Sequence, residues 1–249
     1  SEVGSKLYRA VDRNRDQSYF LFATTSEQLS FLQFPLGSLK KSETRKIADE
    51  IGLGVADKAD SQDICFVPDG HYTDVIKKLD PQGLRSQGRG RLIHIDGHDI
   101  GEHKGIDHYT VGQRRGLNIG GEAAPLYVLS IHPEMNTIIV GPRACLAKSN
   151  ITIRDVNWIS SIGGIPDEVT NVDIRIHSAH EAVRGTIQKG RENNSAIITF
   201  NDPLYGVSPG QACVVYDGDQ VLGGGWIIND KSNNAISHNK RYETLMNLA

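Results

Sequence analysis

A mixed α and β fold, helical at first and strand-rich afterwards, follows from three features of the chain. Helix-period apolar patterns occupy the residues before 80, short alternating segments occupy those after it, and 26 glycines are spread over 249 residues. That much glycine marks many tight turns.

The first eighty residues read as helices joined by irregular connections. Thr25 and Ser26 cap a helix over residues 26–32, which Phe34-Pro35-Leu36-Gly37 ends. A second helix begins near Ser42 and runs through Arg45, Ile47, Ala48 and Ile51. Spacings of three or four collect its apolar side chains on one face, and Gly52 and Gly54 stop it. The chain then extends from Val55 to Lys58 into a polar loop at Asp60 to Asp63. A third short helix, Tyr72 to Leu79, turns Val75, Ile76 and Leu79 inward.

At Asp80-Pro81-Gln82-Gly83 the texture changes, and a domain boundary is expected there. Arg91 to Ile95 alternates, Asp96-Gly97 signals a hairpin turn, and His98 to His103 returns. Tyr127 to Ile131 and Asn136 to Val140 form a second hairpin around Pro133. Beyond Ile151 strands recur at 172–176, 183–188, 196–200, 212–216 and 221–228, with Asp217-Gly218 as a further turn. So many short antiparallel strands favour a small closed barrel, because closure removes exposed edges. The expected division is residues 1–80, a central β-rich domain over 81–148, and a C-terminal antiparallel β-barrel over 149–249 that ends in a polar tail from Asn229.

Lys and Arg total 27 against 30 Asp and Glu, a net charge of -3, so no global basic field marks a nonspecific nucleic-acid binder. A local basic face remains compatible with that balance. Cys65, Cys145 and Cys213 lie far apart and form no CxxC pair, which fits neither a disulfide scaffold nor a structural zinc site. The nine histidines show no ligand spacing, His103 and His108 read as surface or hydrogen-bonding residues, and no structural metal is expected. No apolar run approaches the ~20 residues of a membrane helix and no signal peptide is read, so a soluble, cytoplasmic protein without a membrane partner is expected.

Four short segments carry candidate chemistry. Asp60 to Val67 reads DSQDICFV and sets the Cys65 thiol between a polar turn and the apolar Phe66-Val67 pair, where it is both supported and reachable. A small buried hydrophobe is the alternative reading of Cys65. In Arg15-Asp16-Gln17 the guanidinium offers a phosphate fork and the amide offers a donor and an acceptor, while Asp16 also suits a helix cap. His103-Lys104-Gly105 and Gln113-Arg114-Arg115-Gly116 form the densest basic run, either a phosphate-binding loop or a solvated connection. In Ser208-Pro209-Gly210-Gln211 a turn accounts for Pro209 and Gly210 but leaves Gln211 unexplained.

Taken in order, NRDQSYFL, DSQDICFV, GEHKGIDHYTVGQRRGL, APLYVL, SPGQ and LGGG resemble the tRNA-specific 2-thiouridylases, ATP-dependent enzymes that replace the 2-oxygen of the wobble uridine with sulfur. The resemblance covers nearly the whole chain. It implies that Cys65 carries a persulfide delivered by a sulfur-carrier protein, and that an earlier cysteine of the family resolves it through a disulfide. It also implies tRNA contacts by Arg15, Asp16, Gln17, Lys104, Arg114, Arg115 and Gln211.

The family's SGGVDSS-type phosphate loop and its earlier cysteine have no counterpart in this sequence. The opening residues look like the last strand and connection of a nucleotide-binding domain. The expectation is therefore a C-terminal fragment: the helical remainder of an α/β nucleotide-binding domain, then the two β-rich domains, with most of the ATP site elsewhere and no complete activity alone. Where the family has an Arg-Tyr-Arg run in the barrel, this chain has Ile176-His177-Ser178-Ala179-His180, which moves a phosphate contact to Arg175 or Arg184. Two other readings differ in class. A noncatalytic RNA-binding module built on the barrel requires an inert, buried Cys65. A Cys-His hydrolase pairs Cys65 with His71 or His108 but has no oxyanion-hole motif beside it.

Overall fold

The computed structural model describes residues 4–54, 88–120, 124–159 and 164–228. Cys65 and its block, the helix expected over 72–79, the boundary at 80–83 and the tail from Asn229 lie outside the described residues. The chain is mostly β with few helices. It divides into two compact units, the first drawn from residues 1–60, 149–203 and 208–230, the second from 61–148 and 204–207.

The N-terminal segment begins with strand β1 (Leu7–Tyr8), makes 3-10 turns at Arg13–Arg15 and Ser18–Leu21, and continues into helices α1 (Ser26–Phe31) and α2 (Lys41–Glu50). A capping box starts α1: Thr25 Oγ1 accepts from Gln28 N at 3.2 Å and Gln28 Oε1 accepts from Thr25 N at 2.9 Å. Carboxylates close the start of α2. Glu43 Oε2 accepts from Lys40 N at 2.7 Å, and Asp12 Oδ2 accepts from Lys41 N at 2.9 Å. The apolar face expected on α2 exists as a pattern, yet none of its residues is buried and Ile47 stays 43% exposed.

The second unit holds two hairpins, β2 (Gly90–His94) with β3 (Asp99–His103) and β4 (Leu126–His132) with β5 (Thr137–Pro142). They join through a parallel β2–β5 pairing, Leu92 opposite Ile138, into one sheet of order β3-β2-β5-β4. Both faces of this sheet are covered. Leu92, Val128, Ile138 and Val140 pack with Ile106, Tyr109 and Leu117 on one side, while Ile93, Leu129 and Ile139 pack with Leu146 on the other. Burial on two sides explains why Thr137 to Val140 reads as a continuous apolar run rather than an alternation.

In the first unit, β6 (Lys148–Trp158), β7 (Thr170–Arg175), β8 (Val183–Lys189), β9 (Ala196–Leu204), β10 (Ala212–Asp217) and β11 (Gln220–Ile227) form a closed six-stranded antiparallel barrel. Closure comes from β11, which pairs with β10 along one side and β6 along the other. Strand β1 adds to β11, Leu7 opposite Val221. The opening strand thus extends the barrel sheet at β11. Leu7, Tyr19, Phe22 and Leu29 share one core with Val214, Tyr216 and Val221. The LGGG block is where this packing is tightest: a Cβ on Gly224 would stand 2.6 Å from Cys213 O and 2.8 Å from the Phe22 ring.

Candidate functional site

Asp16 organises the Arg15-Asp16-Gln17 segment. Its side chain is only 1% exposed, and four donors fill its two oxygens. Oδ1 accepts from Ala10 N at 3.2 Å and Ser18 N at 3.1 Å, and Oδ2 accepts from Arg9 Nε at 3.0 Å and Arg175 at 3.2 Å. Burial pushes this carboxyl up, but the hydrogen bonds from Ser18, Arg9 and Ala10 outweigh that cost and hold it below the ordinary Asp value. The cap reading thus has a concrete form: Asp16 closes the turn at Ser18 and ties it to the barrel. Arg15 and Gln17 lie exposed on either side.

The rest of that segment is anchored the same way. Tyr19 Oη donates to Ala212 O at 2.9 Å, with Ile176 O a second acceptor at 3.1 Å, which joins the segment to the residue after Gln211. Arg175 is buried and also donates to Ser178 O and His180 O. This removes Arg175 as the relocated phosphate contact. Arg184 remains, 72% exposed and 2.9 Å from Asp173. Beside Arg15 and Gln17 opens a groove of about 760 Å³ that Arg9, Gln33, Phe34 and Lys41 also line.

Two turns share one construction. In Thr110-Val111-Gly112-Gln113, Gln113 N donates to Thr110 O at 3.0 Å and Thr110 N donates to Gln113 Oε1 at 3.0 Å. In Ser208-Pro209-Gly210-Gln211, Ser208 N donates to Gln211 Oε1 at 2.9 Å. Gly112 and Gly210 supply the positive φ, +88° and +82°, that such turns need at their third position. Each turn then docks on a strand: Gly112 N to Val128 O and Val128 N to Gln113 O, Gly210 N to Ile227 O and Ile227 N to Gln211 O. Gln211, which the turn alone left unexplained, braces its own turn, and Gln113 does the same.

The consequence at Gln113 is a presented charge pair. Gln113 Nε2 also donates to Arg115 O at 2.8 Å, so one side chain fixes both ends of the loop whose tip carries exposed Arg114 and Arg115. Lys104 is exposed in the same unit. Its neighbour His103 is buried, takes Gly105 N–H on Nδ1 at 3.1 Å and therefore donates through Nε2 to Asn136 O at 3.1 Å. His103 is a structural residue, tied on both ring nitrogens to the backbone. Lys104, Arg114 and Arg115 thus belong to the second unit, and Arg15, Asp16, Gln17 and Gln211 to the first.

Of the two cysteines among the described residues, Cys213 is fully buried, and burial pushes its thiol up to about 12. Cys145 is half-buried and raised for the same reason. Neither matches a poised thiolate. ATP, which the resemblance implies, finds no open helix N-terminus at α1 or α2. The starts of α1 and α2 are occupied by their own capping side chains rather than open to a triphosphate. One cluster escaped sequence reasoning altogether: His94, Asp96 and His98 converge at the β2–β3 turn. Among the described residues no helix is long and apolar enough to cross a membrane.

Three family models match in succession: a tRNA methyl transferase HUP domain over residues 1–69, a tRNA methyl transferase PRC-barrel domain over 81–142, and an aminomethyltransferase beta-barrel domain over 148–227. Similar proteins include the tRNA-specific 2-thiouridylase MnmA of Rhodospirillum centenum, 47% identical over 94% of this chain and 60% of the relative. Those of Sphingopyxis alaskensis and Methylorubrum extorquens are 49% and 50% identical, over 90% and 91% of this chain and 56% and 59% of theirs. The chain spans about 60% of the length of these relatives.

Proposed function

Since the chain belongs to the tRNA-specific 2-thiouridylase family, we propose that it supplies the tRNA-holding surfaces and the sulfur-bearing cysteine of an enzyme that makes 2-thiouridine at the wobble position. The observation that carries this reading is the braced Thr110–Gly116 loop, which holds two adjacent arginines outward in a protein of net charge -3. A loop fixed at both ends by one glutamine presents its charges without the entropy loss of ordering them on contact. Lys104 adds a third cation in this unit. Arg15 and Gln17 offer a phosphate fork and a base-edge amide from the first unit, positioned by the buried Asp16. Gln211 serves by shaping its turn. The domain division at residues 80 and 148 is proposed with this reading.

The chemistry falls to Cys65. A sulfur-carrier protein transfers its outer sulfur to the Cys65 thiolate, making a persulfide as the donor's S–S bond breaks. With the C2 oxygen of the uridine first adenylated by ATP, which releases pyrophosphate, that outer sulfur attacks C2, the oxygen leaves with AMP, and a second thiol breaks the persulfide bond to form a disulfide with Cys65, which a reductant reopens. The methyl transferase wording of two family models names another group transfer. The near-full-chain likeness to thiouridylases and the DSQDICFV block favour sulfur.

The test is tRNA affinity of the Arg114→Ala, Arg115→Ala double variant across a salt series, in the protein completed with the part that its relatives carry. Weaker binding is expected, with the log–log salt slope flatter by about one unit per lost phosphate contact. Unchanged affinity and slope in a folded variant would make the loop a solvated connection.

A further inference from the structure

Three metal-type ligand atoms meet at the tip of the β2–β3 hairpin. His94 closes β2, Asp96 sits in the turn, and His98 leads into β3; their ligand atoms all lie within 4.8 Å of one another. His94 Nδ1 stands 3.0 Å and His98 Nδ1 2.5 Å from the same Asp96 Oδ1. The scaffold under them is fixed. His94 N donates to His98 O, Gly97 N to His94 O, and Ile95 N to Val140 O on the neighbouring strand, each at 2.8 Å.

Two imidazole nitrogens directed at one carboxylate oxygen need positive charge between them, because lone pairs facing lone pairs repel. Protons on both rings supply it, and so does one cation. Two imidazoles and a carboxylate form the donor set of zinc and its first-row neighbours. A tetrahedral ion with bonds of about 2.0–2.1 Å spaces its ligands about 3.3 Å apart, which the three atoms, all within 4.8 Å of one another, reach by shifts of about 1–2 Å. His94 is 16% exposed while Asp96 and His98 are 54% and 50%, which leaves one side open for solvent ligands.

We propose that the hairpin tip binds a borderline divalent cation of the zinc class through His94 Nδ1, Asp96 Oδ1 and His98 Nδ1. The ion staples the turn. Strand β3 separates it from Lys104, about 20 Å away at 3.3 Å per residue, and the ion acts on the stability of the second unit.

The experiment uses the 249-residue chain after chelator treatment, titrated with Co²⁺ and followed by visible absorption, with Zn²⁺ competition. A single site is expected, weakened at least about tenfold in His98→Ala and in Asp96→Asn. His98 is half-exposed, so its removal leaves the fold in place. Thermal unfolding should rise with Zn²⁺ in the parent chain and not in His98→Ala. Equal binding in parent and variants, no ligand-field band, or a thiolate charge-transfer band placing the metal on a cysteine would each overturn the proposal.

Discussion

Asp16 shows how much a single residue type can carry beneath a motif. A sequence reader sees Arg-Asp-Gln and assigns all three to a ligand, because each is polar and they are adjacent. The fold separates them: the carboxylate faces inward to Arg9 and Arg175, and only its neighbours face out. Arg175 was not legible as a partner, since it lies 159 positions away and its burial depends on barrel closure. Breaking a buried ion pair by removing one member costs about 3–5 kcal/mol. Asp16→Asn, which keeps the shape and one acceptor, is expected toward the low end of that range. The carboxyl is lower in the folded chain than the ~3.9 of an unfolded Asp, so its contribution is fully present above about pH 4 and is lost as pH falls through the folded value. Urea unfolding of parent and Asp16→Asn should therefore differ most at neutral pH and converge toward pH 3. A gap that stays constant down to pH 3 would mean that the carboxylate's charge is not what holds the segment.

At the scale of elements, local chemistry was legible and long-range pairing was not. The α1 capping residues, the Asp96-Gly97 turn and the alternating barrel strands all stand where local propensity put them, because each depends on neighbours within a few positions. The parallel pairing of β2 with β5 and the joining of β1 to β11 carry no local signal. The exposed face of α2 teaches the same limit, for apolar spacing indicates a face and not what covers it. Gln113 and Gln211 fall between these cases. Each is a residue four in a turn whose amide reaches back three positions, a local device that became visible only when its hydrogen bonds were counted. Gln113→Ala should leave Thr110 N–H and Arg115 C=O without their partner and cost about 1–2 kcal/mol. Its effect on tRNA should differ in kind from losing the arginines: affinity falls because the loop is no longer preorganised, while the salt slope stays, since every charge remains. A slope that flattens as much as in the double arginine variant would contradict this division of labour.

Across the whole molecule, the proposed function rests its sulfur chemistry on one thiol among three, Cys65. Burial pushes the Cys213 thiol up to about 12, so it is overwhelmingly protonated at neutral pH and silent even before its burial blocks approach. Cys145 is raised by the same cause and half-covered. A persulfide donor offered to the 249-residue chain should therefore load one sulfur, on Cys65, and mass spectrometry of Cys65→Ser should find none. Loading is not turnover. The uridine oxygen must also be made a leaving group, and the sequence contains no SGGVDSS-type phosphate loop for the triphosphate that would do this. With tRNA, ATP and persulfide, the chain alone should bind tRNA and carry sulfur yet form no 2-thiouridine. Adding the portion of the relatives that it does not span should restore formation, with Cys65→Ser abolishing it. Thiouridine made by the chain alone would place activation within these 249 residues, and sulfur found on Cys213 would overturn the argument from burial.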